Sequence, residues 1–423
     1  MENFTRKLII KNKIIKFINI FQIISFVILP FFLLRDGTSL RNVTHPLMVL
    51  TFIKIILEKK VINWKELKQI YIPMMMFVLL IFININMIEP DSPRYANERI
   101  RTVSMTFMMF FMMTQIKVKQ IYFKYQNIAM DIAFSIYIIK FMIIWHDMGY
   151  PLTDRFSGVN YIFTFSNICL LGTLYYFVKI IKSIKDKDIL GIKNIILSLL
   201  LFWGIVISNS RMSILTTLFV MCLILLNEVV QLKSIKKKIV ILMVFILFLG
   251  SVLQVDTLRT RLSSVLTTKL DGSNSKRLEL WKTSIYGIKK HPLKGNGFIS
   301  FMTVSNEEEL EKKAKKEKIT KLQEEVYKIN FAHPHQNYLS LWMGLGIFGL
   351  FLYVIILLNI LKKLISKYIK NKNIEYIIGI AFITALILLG LTDVMIRFRR
   401  VNEILFYVVG ILFIITNENK KNQ

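Results

Sequence analysis

The chain reads as an all-α polytopic membrane protein with about 12 transmembrane helices. Three observations carry this reading. Apolar residues make up 54% of the 423, with 32 Phe among them, against only 20% charged. The apolar residues fall in runs of roughly 16–22, the length that crosses a bilayer core. The charges cluster in short stretches between those runs. A water-soluble domain of this length carries more charge and fewer Phe and Met. The apolar content also excludes a disordered basic chain. The net charge of +29 is not a nucleic-acid footprint, which would be a basic patch on a soluble domain. No nucleic acid is therefore expected as a partner. The charge reads as membrane topology and contact with membrane lipids.

Twelve spans are expected, at 17–34, 43–57, 70–88, 102–116, 126–145, 159–179, 190–207, 212–230, 239–255, 337–359, 374–394 and 403–416. The first follows a basic stretch (Arg6, Lys7, Lys11, Lys13, Lys16) and ends at Leu33-Leu34-Arg35. No small-residue cleavage site follows, so it reads as an uncleaved helix and not a signal peptide. The second and twelfth are short. The seventh and eighth are joined only by Ser208-Asn209-Ser210-Arg211, a hairpin at the membrane surface. Cys169 and Cys222 lie in apolar runs without metal or redox spacing, and read as small buried hydrophobes.

Lysine sets the orientation. Alternate linkers carry Lys59/Lys60/Lys65/Lys68, Lys117/Lys119/Lys124, Lys182/Lys185/Lys187, Lys233/Lys236/Lys237/Lys238 and Lys362/Lys363/Lys367/Lys370/Lys372, and the tail carries Lys420/Lys421. The positive-inside rule puts these in the cytoplasm, and the even span count returns both termini there. The other short linkers hold Arg without Lys: Arg35, Arg41, Arg94, Arg99, Arg101, Arg155, Arg211, Arg397, Arg399 and Arg400. Positive charge on the outer side opposes the topology signal. Arg, unlike Lys, offers a planar fork for phosphate or carboxylate. Contact with lipid headgroups or pairing with Asp36, Glu89, Asp91, Glu98 and Asp154 is the simpler use.

The chain thus divides into helices over 1–255, a large outer loop over 256–336, and helices with a tail over 337–423. Loops of that length in a compact protein usually carry function. Within the loop, 307–328 reads as one solvated surface helix, with Glu308/Lys312, Glu309/Lys313 and Glu311/Lys315 at i,i+4 spacing. No internal repeat is evident, against transporters built from repeats.

Four clusters share the outer side. They are Asp154-Arg155-Phe156-Ser157-Gly158, the hairpin Ser208–Ser213, the stretch from Asp271 through Arg277 and Trp281 to His291-Pro292-Leu293-Lys294-Gly295-Asn296-Gly297, and His333-Pro334-His335-Gln336-Asn337 running into Gly344-Leu345-Gly346-Ile347-Phe348-Gly349. Together they bring fixed positive charge, tight turns and two neighbouring imidazoles, the side chain suited to proton transfer near neutral pH. Lys140, Asp131 and Asp393 fall within or at the ends of spans, where charges are functional candidates by default. Asp131 and Asp393 read as snorkelling to the surface, and Lys140 as a candidate for lining a donor groove.

In this order the motifs (Arg-x-Ser-Gly, Ser-Arg opening a span, Arg-x-x-x-Trp, His-Pro-Leu-x-Gly-x-Gly, and His-Pro-His before Gly-x-Gly-Ile-x-Gly) resemble the O-antigen ligase / Wzy-type polysaccharide polymerase family, over roughly residues 150–355. The resemblance implies a membrane-embedded GT-C-type glycosyltransferase of the bacterial cytoplasmic membrane, with its active site on the outer face. It implies a donor glycan on undecaprenyl pyrophosphate and a lipid-linked acceptor, with a flippase and a chain-length regulator as partners. Carried over by motif, Arg155, Arg211 and Arg277 hold the pyrophosphate and His335 is the base, with His333 as the alternative. Trp281, Asn337 and Lys140 join them as substrate-binding candidates. The family commonly has His followed directly by Asn, whereas Gln336 and then Asn337 stand here, so either amide could orient the imidazole. Preorganised Arg can stabilise the leaving group without a metal, so neither metal nor cofactor is expected. A single displacement would invert the anomeric centre. No GxxxxGK[ST] phosphate loop is present. Polymerase ranks ahead of ligase. A lipid-linked oligosaccharide flippase is the competing class, and a non-catalytic scaffold the minor one.

Overall fold

The computed structural model describes residues 2–35, 39–88, 93–150, 156–158, 161–186, 188, 191–232, 234–253, 272–298, 300–328 and 333–415. Regular structure among them is helical. In order the helices are α1 (Glu2–Leu33), α2 (Ser39–Glu58), α3 (Trp64–Ile88), α4 (Pro93–Thr114), α5 (Gln120–Asp147), α6 (Ile162–Asp186), α7 (Gly191–Ile207), α8 (Arg211–Gln231) and α9 (Ile235–Leu253). Then come α10 (Gly272–Lys290), α11 (Phe301–Ala314), α12 (Lys321–Lys328), α13 (Asn337–Asn371), α14 (Glu375–Leu389) and α15 (Arg399–Ile414). Each of the twelve expected spans overlaps a helix, α1–α9 or α13–α15, and the one expected over 374–394 runs past α14 into the following turn. Stretches of α1, α3, α5, α6, α8 and α13 are long and apolar enough to cross a membrane, and α4, α7 and α14 carry shorter apolar stretches.

Side chains sort as lipid exposure requires. On α5, Ile132, Ile136, Ile139 and Ile143 form one exposed stripe, while Ala133, Tyr137 and Phe141 are buried on the other face. Such a stripe would be a liability in water but is a lipid-facing surface on a helix of 28 residues. In α6, by contrast, 89% of the apolar stretch is buried. This helix packs on α7, α8, α14 and α15 and forms the centre of the bundle. Around it, α15 lies against α4, α13 against α3, and α1 against α2 and α5.

The lysine-rich helix ends gather at one end of the bundle. Lys182 Nζ lies 2.6 Å from Glu375 and Lys367 Nζ 3.0 Å from Glu66. Lys185 pairs with the fully buried Glu228. Asp131, expected to snorkel, instead pairs with Lys193 and accepts a 3.0 Å bond from the Tyr176 hydroxyl. The described residues of the clusters singled out in the sequence lie at the opposite end.

There α10–α12 form a small cap with its own core of Leu280, Ile288, Phe301, Val304 and Tyr327 against Met343 of α13. The segment expected as a single helix over 307–328 is two, α11 and α12, separated by a turn with Lys316 at φ 54°. Glu308/Lys312 and Glu309/Lys313 pair at 2.7 Å as their spacing requires. Glu311 differs, since it accepts the Tyr286 hydroxyl and lies near Lys290. That bond holds the Glu311 carboxyl below its usual range, and burial pushes the Tyr286 phenol up. Glu308 and Tyr327 are buried, so the segment is not wholly solvated.

The two glycine-rich motifs lock together. Helix α13 is interrupted at Gly346 (φ 70°, ψ −177°), which frees backbone groups that must find partners. The loop after α10 supplies them. Asn296 N–H donates to Met343 O (2.8 Å), Gly297 N–H to Gly344 O (3.0 Å), and Ile347 N–H to Pro292 O (3.0 Å). The Asn296 amide also donates to Gly287 O (2.8 Å) and Met343 O (3.0 Å). A Cβ on Gly295 would run into the Gly344 carbonyl, and one on Gly346 into the Leu293 carbonyl. His-Pro-Leu-x-Gly-x-Gly is therefore a backbone clamp that fixes α10 on α13, and its His291 is exposed.

Candidate functional site

Three turns build the site. The first joins α7 to α8. Asn209 there adopts φ 54°, and Arg211 is the first residue of α8. Behind it, Ser213 Oγ lies 3.1 Å from Ser166 Oγ and 3.0 Å from Asn167 Oδ1. This buried polar contact pins α8 to α6, so Arg211 leaves from a fixed turn. A helix N-terminus adds partial positive charge at the same place.

The second turn leads into α13. Gln336 is its N-cap, and its side chain accepts the Leu339 N–H. His335 adopts φ 51°, an uncommon region for a side-chain-bearing residue. Its N–H donates to His333 Nδ1 (3.3 Å), and the two rings lie 4.3 Å apart. Outlier backbone of this kind clusters at functional sites.

The third turn, between α14 and α15, carries what the motifs did not indicate. Asn337 N–H donates to Gly390 O (2.8 Å), and its Oδ1 accepts from Ile396 N–H (3.2 Å). Asn402 Nδ2 donates to Met395 O (2.8 Å). These bonds hold the turn against the start of α13. Asp393 is thereby buried, with Oδ1 3.6 Å from His335 Nδ1 and accepting from Val394 N–H at 2.8 Å. Its Oδ2 accepts no hydrogen bond from the described residues. The separation from His335 is an ion-pair distance and longer than a hydrogen bond; such contacts tighten when substrate binds.

The turns border two neighbouring cavities. One, about 40 Å³, is lined by Arg211, Arg277 of α10, Asn167, Thr392 and Asp393. The other, about 260 Å³, is lined by His333, His335, Asp393, Arg397 and the aromatic residues Tyr161, Phe163 and Phe398. Asp393 and Phe163 border both. Arg211 and Arg277 thus line one cavity and His333 and His335 the other, with Asp393 bordering both. Arg155 lies outside the described residues. Asn337 is buried and holds the α14–α15 turn, Gln336 caps α13, and Asp393 faces the imidazole. Trp281 is half-buried on α10, and Lys140 is exposed on α5; neither lines these cavities. Asp393, read from sequence as snorkelling, is the residue most plainly missed. Its signal was a carboxylate at the end of an apolar run. His333, His335 and Asp393 each offer one ligand atom within 4.8 Å of the others, so this trio has the composition to hold a metal ion.

The helices and site define a multi-pass membrane protein with a cationic pocket beside a histidine–carboxylate pair. Residues 196–354 match the family model described as O-antigen ligase, so the resemblance to the O-antigen ligase / Wzy-type family holds over the stretch bearing Arg211, Arg277, His333 and His335. No curated protein matches the chain. The match supports a glycan-processing membrane enzyme. Asp393 and Arg397 lie beyond the matched stretch.

Proposed function

We propose that the protein is an outer-face glycosyltransferase that polymerises oligosaccharide repeat units carried on undecaprenyl pyrophosphate. The observation that supports this best is the placement of two Arg on one side of Asp393 and the His335 imidazole on the other. An acceptor hydroxyl attacks the anomeric carbon of the donor glycan, and the bond from that carbon to the diphosphate oxygen breaks. The hydroxyl proton passes to His335. Asp393 holds the ring and stabilises the imidazolium that forms. The departing polyprenyl diphosphate takes the electron pair, and Arg211, Arg277 and the α8 N-terminus stabilise its charge. One displacement inverts the centre. Two Arg already supply the charge stabilisation, and a base needs its lone pair, so the reaction runs without a metal. Twelve crossings, with both termini and the lysine-rich ends in the cytoplasm, put the cleft on the outer face. A flippase would deliver the lipid-linked unit, and a chain-length regulator would set the extent of polymer.

The test is surface glycan length in cells carrying His335→Ala or Arg211→Ala. Single units left on the outer leaflet are expected. Normal long polymer in both strains would overturn the reading. Unpolymerised glycan appearing on a different carrier in the wild type would favour a ligase. Units accumulating on the inner leaflet in a deletion strain would favour a flippase.

A further inference from the structure

We infer that the aromatic cavity is the subsite for the acceptor sugar, a pyranose ring presented by the growing or incoming glycan, and that it is distinct from the donor diphosphate pocket. This rests on the glycosyltransferase reading for its direction, but the sugar site itself stands on separate geometry. The imidazole of His335 lines the 260 Å³ cavity and not the Arg211/Arg277 cavity. A hydroxyl that gives its proton to His335 must therefore arrive through the aromatic side. The cavity, about 260 Å³, leaves room for a sugar ring.

The lining suits a sugar. Tyr161 and Phe163 lie 5.6 Å apart between ring centroids, and Phe163 and Phe398 6.3 Å, giving a continuous wall. The negative faces of aromatic rings attract the positive C–H edge of a pyranose. Tyr161 is 63% exposed, which leaves a ring at the mouth of the cavity. Facing this wall are Arg397, His333 and Asp393, a polar set for hydroxyl groups. Asp393 is 6% exposed, and its Oδ2 accepts no hydrogen bond from the described residues, so a buried acceptor borders the space the ring would fill. A ring on the wall would donate one hydroxyl to Asp393 Oδ2 and present its neighbour to His335. The donor's anomeric carbon would then lie over Asp393, where the two cavities meet.

The test uses the full-length protein in detergent and the soluble oligosaccharide released by mild acid from the host's own lipid-linked repeat unit. Saturation-transfer NMR reads its binding without any chemistry. The wild type is expected to give a signal. Phe398→Ala and Tyr161→Ala should each weaken binding about three- to tenfold, the range of one lost aromatic contact, and Phe398→Trp should restore it. Arg211→Ala should leave the signal within twofold. No signal with the wild type overturns the subsite. Loss with Arg211→Ala but not with the two aromatic variants moves the sugar to the cationic cavity and overturns it as well. Sugar binding with this pattern, but no transfer from lipid-linked donor, would sink the glycosyltransferase reading while retaining the subsite.

Discussion

Replacing Asp393 by Asn isolates the charge that faces the base. Asn keeps the size of the side chain and can still accept the Val394 N–H through Oδ1, so the α14–α15 turn is retained. What is lost is a full negative charge 3.6 Å from His335 Nδ1. At an effective dielectric of about 20, a unit pair at this range is worth about 4–5 kcal/mol. If about half the imidazolium charge has developed in the transition state, the loss is about 2 kcal/mol, or roughly 30-fold in rate. The effect belongs in kcat, because the imidazolium exists only as the proton is transferred. The assay is single-turnover transfer from lipid-linked donor to soluble oligosaccharide in detergent, with thermal unfolding as the control for structure. A variant that unfolds like wild type and turns over within twofold of it would refute Asp393 as the partner of the base. An equal fall in acceptor affinity with kcat unchanged would reassign it to binding alone.

Arg211→Lys or Arg277→Lys keeps the charge but loses the fork. Turnover in each should fall about 100-fold, the loss typical of one missing donor to a developing oxyanion, and wild-type rates in both would remove them from the leaving-group site. Gly346→Ala adds a Cβ against the Leu293 carbonyl at a left-handed position. It should destabilise the protein by about 1–3 kcal/mol, read as a lower unfolding midpoint in detergent; an unchanged midpoint would mean that the clamp between α10 and α13 contributes nothing. Chelation with EDTA should leave transfer intact. Activity lost to EDTA and restored by a divalent ion would reassign His333, His335 and Asp393 as metal ligands.

Much of this molecule is written along the chain because a bilayer reads sequence locally. Apolar runs of spanning length must close their own hydrogen bonds, so the expected segments fall on helices, six of them long and apolar enough to cross a membrane. The Glu308/Lys312 and Glu309/Lys313 pairs follow from helical spacing alone. Arg211, Arg277 and His335 were singled out by motif, and they line two cavities that share Asp393. Contacts between turns were not legible. Asp393 reaches His335 where Asn337 ties the turn between α14 and α15 to the start of α13 and Asn402 braces that turn from α15. The same docking brings Phe398 and Arg397 to Tyr161 and Phe163, which no spacing in the chain relates. It also sets Asn337 as a brace for that turn, while His291 lies exposed beside the clamp and Lys140 exposed on α5. Local physics determined the helices and the chemistry available at their ends. Which of those groups share a cavity was decided by packing across the bundle, where a backbone break at Gly346 and a few buried amide bonds outweigh any pattern in the order of residues.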